Sequence, residues 1–239
     1  MDRKNHSKVA RGGEPAQFLL PRLVAVVGHY GSGKTTVAVN MAMRYARAGE
    51  RVAVVDFDIV NPYFRTADSR DMLESAGVHC VVPPLANTNV DVPALPAEIY
   101  SLFAGSGGAA RFDRVIFDVG GDDGAVALSA YRAHFYREPH ALLYVVSMYR
   151  PLTATPEAAA ELLGEIEARS GLRATHVVNN SSLGAETTAG HVISSLDYAQ
   201  RVCELCGLPL LSTAVMEDVA SSLDTRAYFV MKNYTKRYF

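Results

Sequence analysis

Residues Gly28-His29-Tyr30-Gly31-Ser32-Gly33-Lys34-Thr35-Thr36 satisfy the pattern G-x-x-x-x-G-K-[ST], and no other stretch restricts the fold of this chain as much. An apolar run, Leu23 to Val27, precedes them, and a helical pattern from Lys34 to Ala48 follows. A phosphate-binding loop requires strand, glycine loop and helix in that order. The glycines at 28, 31 and 33 let the backbone curl with its N–H groups inward. A phosphate is then held by amide dipoles and by the positive end of the following helix. Lys34 supplies a mobile cation for the outer phosphates and has a catalytic role there, while the Thr35 hydroxyl is placed to ligate Mg²⁺. With Tyr30, Ser32 and Thr36 these residues form the expected cradle for a nucleoside triphosphate.

Two further acidic stretches fall where such a site needs them. Val52 to Val55 is an apolar run too short for a helix, and it ends in Asp56-Phe57-Asp58-Ile59-Val60-Asn61-Pro62-Tyr63-Phe64-Arg65. Acids at the carboxyl end of a parallel strand face the ligand crevice, which makes Asp56 and Asp58 candidates for holding a metal or positioning water. Arg114 to Phe117 is the next run, ending in Asp118-Val119-Gly120-Gly121-Asp122-Asp123-Gly124. Asp118 is expected to hold Mg²⁺ through water, and the glycine pair to let a loop approach the γ-phosphate.

The rest of the chain supplies the sheet around these loops. Val37, Met41 and Tyr45 recur at helical spacing, and Gly49 is suited to end that helix in a left-handed turn. A short helix is expected from about Thr66 to Ser75 and an edge strand at Val78 to Val82. A turn-rich stretch through Pro83, Pro84, Pro93 and Pro96 leads to a helix through Ile99 and Phe103. Ala141 to Val146 and Thr175 to Val178 read as buried strands. Between them a helix opens with Thr155 as N-cap, Pro156 in its first turn and Glu157 beside it. A long helical pattern runs from about Thr188 to Cys206, then an apolar run from Leu208 to Val215, then a helical or irregular tail. Unbroken apolar strands alternating with helices predict an α/β protein: a mostly parallel sheet covered on both faces, a three-layer α/β/α sandwich.

Composition narrows the function classes. The 239 residues carry 23 lysines and arginines against 25 acids, so no global charge favours nucleic acid or an anionic surface. No run approaches the roughly 20 apolar residues that cross a bilayer. Residues 1–20 read as a flexible, basic, glycine-containing tail, and 21–239 as a single nucleotide-binding domain. Three cysteines, Cys80, Cys203 and Cys206, are too few for a disulfide framework, and a cytoplasmic location is expected.

Val24 to Ala42, Val54-Val55-Asp56-Phe57-Asp58-Ile59 and Val115-Ile116-Phe117-Asp118 together resemble the MinD/ParA and CobQ/CobB group of P-loop ATPases, of the SIMIBI class. The likeness runs from Leu23 to about Leu223. It implies ATP/ADP and Mg²⁺ as ligands, Asp58 near the attacking water, Asp118 supporting the metal, and adenine read by an Asn after a late strand. Asn179 fits that role best, with Asn180 as its neighbour. The group also implies a nucleotide-dependent homodimer or a protein partner.

One departure matters. MinD and ParA proteins carry a Lys after the first loop Gly that reaches across a dimer, and this chain has His29. Arg65 and Arg150, each following a strand that ends at the site, are the candidates to replace that cation in cis. His29 itself receives no role. Some relatives hold an iron–sulfur cluster on a C-x-x-C pair. Cys203 and Cys206 instead lie at i, i+3 in a helical pattern, where such residues pack into a core.

Three functions follow in order. The first is an ATPase whose nucleotide state shapes the 56–65 and 118–124 loops. The second is a small-molecule kinase or dethiobiotin-synthetase-like ligase, whose acceptor pocket would involve Asn61 to Ile99. The third is a sensor that binds without hydrolysis.

Overall fold

The apolar runs become strands β1 (Leu23–Gly28), β2 (Val52–Asp56), β3 (His79–Val81), β4 (Arg114–Asp118), β5 (His140–Val146), β6 (His176–Asn179), β7 (Leu210–Met216) and β8 (Tyr228–Met231). They form one sheet in the order β3-β2-β4-β1-β5-β6-β7-β8, and every pairing is parallel. This computed structural model describes residues 19–57, 69–81, 98–103 and 110–234, without the side chains of Asp122 and Asp123. Within it the helices are α1 (Lys34–Arg47), α2 (Arg70–Ser75), α3 (Ile99–Leu102), α4 (Asp122–Ser129), α5 (Arg132–Phe135), α6 (Pro156–Ser170), α7 (Ala189–Ser194), α8 (Leu196–Cys206) and α9 (Glu217–Ala220).

Alternation along each strand builds the two outer layers, because successive side chains leave opposite faces of a sheet. Leu23, Ala25 and Val27 of β1 join Val115 and Phe117 of β4 in one core, closed by Leu163 and Ile166 of α6 and Val202 of α8. Val24 and Val26 of β1 join Ile116 and Val145 in the other, closed by Val37, Met41 and Tyr45 of α1. Both cores run the length of β1, which is buried along all six residues. The loop that follows β1 therefore springs from a strand that is paired on both edges and buried throughout.

Three elements differ from the sequence reading. The closing tail contains β8, which pairs with β7 from Thr213↔Tyr228 to Met216↔Met231. Phe229 and Met231 are buried beside α1, and each such side chain stabilises by about 1.5–3 kcal/mol, which fixes a strand of only four residues. The long 188–206 helix is broken at Ser195. The Ser195 hydroxyl donates to the Val192 carbonyl at 2.7 Å and accepts from Asn179 Nδ2 at 2.8 Å, which ties the junction to β6 rather than letting the helix run on. The stretch after Asp118 is irregular over residues 119–121 only and enters α4 at Asp122, where the sequence offered a loop as far as Gly124.

Other boundaries match. Thr155 caps α6 by accepting from the Ala158 N–H at 3.2 Å, and Gly49 has φ +85° just past α1. Residues 1–18 of the expected tail lie outside the described residues; Leu20 is already buried, and its carbonyl accepts from Arg114. Among the described residues no helix is long and apolar enough to cross a membrane.

Candidate functional site

The glycine loop joins the central strand β1 to α1, and its backbone takes conformations that the sequence demands. Gly31 and Gly33 have φ +76° and +85°, in the left-handed region where a Cβ is strained. At Gly33 space is closed as well, since an added Cβ would collide with the Asn180 carboxamide. The loop is cross-braced: the Ser32 N–H donates to the His29 carbonyl at 3.1 Å, and the Lys34 ammonium donates to the same carbonyl at 2.9 Å. Lys34 is buried, while Thr35 and Thr36 are half-buried at the start of α1. Tyr30 stands outside this cradle and is 60% exposed.

Neighbouring strands deliver the acids. Asp56 ends β2 and Asp118 ends β4, and the two are register partners. Both are buried. The Phe57 N–H donates to the Asp118 carbonyl at 2.8 Å, and the Val119 N–H to the Val26 carbonyl at 3.1 Å, so β1, β2 and β4 reach the same edge together. Beside them the backbone packs closely at Gly124, where an added Cβ would lie 2.9 Å from the Phe57 carbonyl, whereas one at Gly121 would meet nothing within 4 Å.

Two loops from the other side of β1 complete the site. After β5, the Arg150 Nε donates to the Gly31 carbonyl at 2.7 Å, which lays the guanidinium along the glycine loop. After β6, the two asparagines part company. Asn179 is fully buried: its Nδ2 donates to Ser195 Oγ and to Thr213 Oγ1 at 3.3 Å, and its Oδ1 accepts from the Ser181 hydroxyl at 2.7 Å. Asn180 turns the opposite way, and its Nδ2 donates to the Ser32 carbonyl at 2.7 Å. A cavity of about 240 Å³ opens beside it, lined by Gly31, Gly33, Thr36, Arg150, Asn180, Ser181, Thr187, Met216, Met231 and Asn233 among others. Asn179 is not part of that lining. The lining residues at the ends of β7 and β8, and Asn233 beyond, carry no motif and could not be picked out from the sequence.

The donor set fits a phosphate and a hard divalent cation. Ser32 Oγ, inside the loop, is buried with no hydrogen-bond partner among the described residues, and a hydroxyl so placed can donate to an oxygen of a ligand. Two buried carboxylates on adjacent strand ends, with a threonine hydroxyl at the start of α1, are oxygen ligands of the type Mg²⁺ takes. Asp58 and Arg65 lie outside the described residues, as do 61–68 and 82–97, most of the stretch in which an acceptor pocket was expected.

Cys203 is buried and Cys206 packs against the same core. Burial pushes both thiols up, Cys203 to about 11, with Cys206 and Glu204 adding to it. Among the described residues no group of three or more His, Cys, Asp or Glu side chains is placed to hold a metal ion.

Comparison with known proteins agrees with this geometry. The model of the CobQ/CobB/MinD/ParA nucleotide binding domain matches residues 23–222. Among curated proteins none matches the chain. Solved structures with a similar fold include the signal recognition particle 54 kDa protein from Aeropyrum pernix K1 in complex with GDP (TM-score 0.52, 20% identity, 84% of this chain and 42% of that one). The cell division protein FtsY from Thermotoga maritima is similar to the same degree (TM-score 0.52, 19% identity, 89% and 66%). A nucleotide-binding protein from Archaeoglobus fulgidus in complex with ADP matches over 87% of both chains (TM-score 0.50, 15% identity). The chain thus spans less than half of the Aeropyrum protein and about two thirds of FtsY.

Proposed function

Because the chain belongs to the CobQ/CobB/MinD/ParA family of nucleotide-binding domains, we propose that it is a Mg²⁺-dependent ATPase whose nucleotide state acts as a switch on a second copy or a partner protein. The observation that carries this reading is the convergence of three strand ends, with the glycine loop on β1 and the buried acids Asp56 and Asp118 brought beside it by β2 and β4.

On this reading each residue has a task. The loop amides and the N-terminus of α1 hold the β-phosphate, and Lys34 swings from the His29 carbonyl to the outer phosphates. Thr35 and Asp118, with Asp56 behind them, hold Mg²⁺, which when bound neutralises charge on the phosphate oxygens. Asp58 orients the attacking water. Arg150, held on the Gly31 carbonyl, meets the charge that develops on the γ-phosphoryl group, the part a partner's lysine plays in relatives. Asn180 takes the base contact that the family pattern suggested for Asn179, because its carboxamide borders the cavity. The loops after β2 and β4 would be ordered by the γ-phosphate and released on hydrolysis. Three free thiols suit the reducing cytoplasm.

The test is Mg²⁺-dependent release of phosphate from ATP by the purified protein, with Lys34→Ala as the control. Turnover that Lys34→Ala abolishes supports a self-sufficient ATPase. Turnover that survives Lys34→Ala comes from a contaminant and sinks the assignment.

A further inference from the structure

Asn40 lies one turn beyond Thr36 on α1 and is 6% exposed. Its side chain grips residue 232 on both polar groups of the backbone: Nδ2 donates to the Lys232 carbonyl at 3.0 Å, and Oδ1 accepts from the Lys232 N–H at 2.7 Å. The carboxamide thus behaves as a peptide group from a neighbouring strand, continuing the pairing of β8 after β8 has ended. Nδ2 also donates to the Thr36 carbonyl at 2.9 Å, so the same residue is anchored to the first turn of α1. Burying a carboxamide is unfavourable unless its groups are paired. Here the pairing is provided largely by one exposed residue of an irregular segment.

The segment is tied down elsewhere too. The Lys232 ammonium lies 3.2 Å from the Glu217 carboxylate. The buried Ser69 hydroxyl donates to the Tyr234 carbonyl at 3.2 Å, and the Arg47 guanidinium sits 5.7 Å from the Tyr234 ring centre. Residues 232 and 234 are therefore held on α1, on the start of α9 and on Ser69. Between them Asn233 is exposed and lines the cavity that also contains Gly33, Thr36 and Asn180.

We propose that residues 232–234 form a strap completing the nucleoside side of the cavity, with Asn233 contacting the nucleoside and Asn40 positioning it through residue 232. The proposal rests on reading the cavity as a nucleotide site. A carboxamide presents a donor and an acceptor side by side, the complement of a base edge or a ribose hydroxyl pair. The phosphates lie on the loop side, so the strap contributes to nucleoside recognition and not to phosphate binding.

The discriminating measurement is calorimetric titration of the full chain with ADP and, separately, with inorganic pyrophosphate. Asn233→Ala and Asn40→Ala should each weaken ADP by about tenfold, the scale of one lost hydrogen bond to a ligand, and leave pyrophosphate within about twofold. Unchanged ADP affinity in Asn233→Ala overturns the proposal. So does an equal loss for ADP and pyrophosphate, which would mark a general effect on the loop or the fold. Asn233 is exposed, so its variant carries the test if Asn40→Ala does not fold. Wild-type protein that binds neither probe would instead sink the nucleotide reading itself, and the strap with it.

Discussion

Asp56 and Asp118 are register partners at the carboxyl ends of β2 and β4, both buried, on two strands that sit side by side only because β4 inserts between β2 and β1. Two like charges so placed repel one another, and a bound divalent cation relieves that repulsion.

The first prediction concerns that cation. Removing one charge with Asp118→Asn should cost Mg²⁺ its hold while leaving the loop amides able to take phosphate. ATP affinity in the variant is expected to fall to the level that wild type shows in EDTA, and to stay there when Mg²⁺ is added. A variant that still gains affinity from Mg²⁺ as wild type does would remove Asp118 from the metal site. Titration with a fluorescent ATP analogue, with and without Mg²⁺, reads the difference.

A second prediction separates strain from collision in the glycine loop. Gly33 and Gly49 share φ +85°, but a Cβ at Gly49 meets nothing within 4 Å, whereas one at Gly33 runs into Asn180. Gly49→Ala should therefore cost only the left-handed penalty of about 1–2 kcal/mol. Gly33→Ala adds the loss of the Asn180–Ser32 bond and should be more destabilising as well as unable to bind nucleotide. Urea unfolding of the two variants side by side checks the order.

The parts of this architecture that the sequence made legible are those that depend on neighbouring residues. Gly33-Lys34-Thr35 and the apolar runs around it specify a loop between strand and helix, and Thr155-Pro156 specifies where α6 begins. What depends on strand order was not legible. Nothing local says that Asp56 and Asp118 will be partners. Nor does the pair Asn179-Asn180 say which member faces inward: alternation puts them on opposite sides, but only the packing of Ser195 and Thr213 against β6 decides that Asn179 is the one enclosed. β8 escaped notice because four residues carry too little periodicity. The fixing contacts come from α1, some 190 residues earlier in the chain, as the Asn40–Lys232 separation of 192 illustrates.

The third prediction concerns alkaline stability. Burial, with a smaller contribution from Glu74, pushes the Cys80 thiol up to about 11, and burial pushes Cys203 up to about 11 as well, from an ordinary 9.0. A folded-state value raised above the unfolded one means that the unfolded chain loses its proton first as pH rises. The stabilising contribution is therefore whole below about pH 9 and is lost progressively as pH climbs through about 11. The urea midpoint of wild type should fall across that window. The paired variant Cys80→Ala with Cys203→Ala should start lower, because of the cavities it leaves, and fall less steeply. Parallel curves would show that neither thiol governs the alkaline limb.

Arg150 carries the fourth. Its Nε is committed to the Gly31 carbonyl at 2.7 Å, which fixes the guanidinium along the loop. On the proposed reading the loop amides and Lys34 carry most of the nucleotide binding, so Arg150→Ala should leave ADP affinity within about tenfold of wild type. Turnover is different, because a cation that meets charge only in the transition state changes the rate and not the binding. If Arg150 substitutes in cis for the cation that His29 displaces from the loop, Arg150→Ala should lower ATP turnover by roughly 10³-fold. Arg150→Lys should recover only part of it, since an ammonium cannot keep the bond to Gly31 and reach the phosphate together. Equal turnover in wild type and Arg150→Ala would leave the guanidinium a brace for the loop. The search for the missing cation would then pass to Arg65 or to a second copy of the chain.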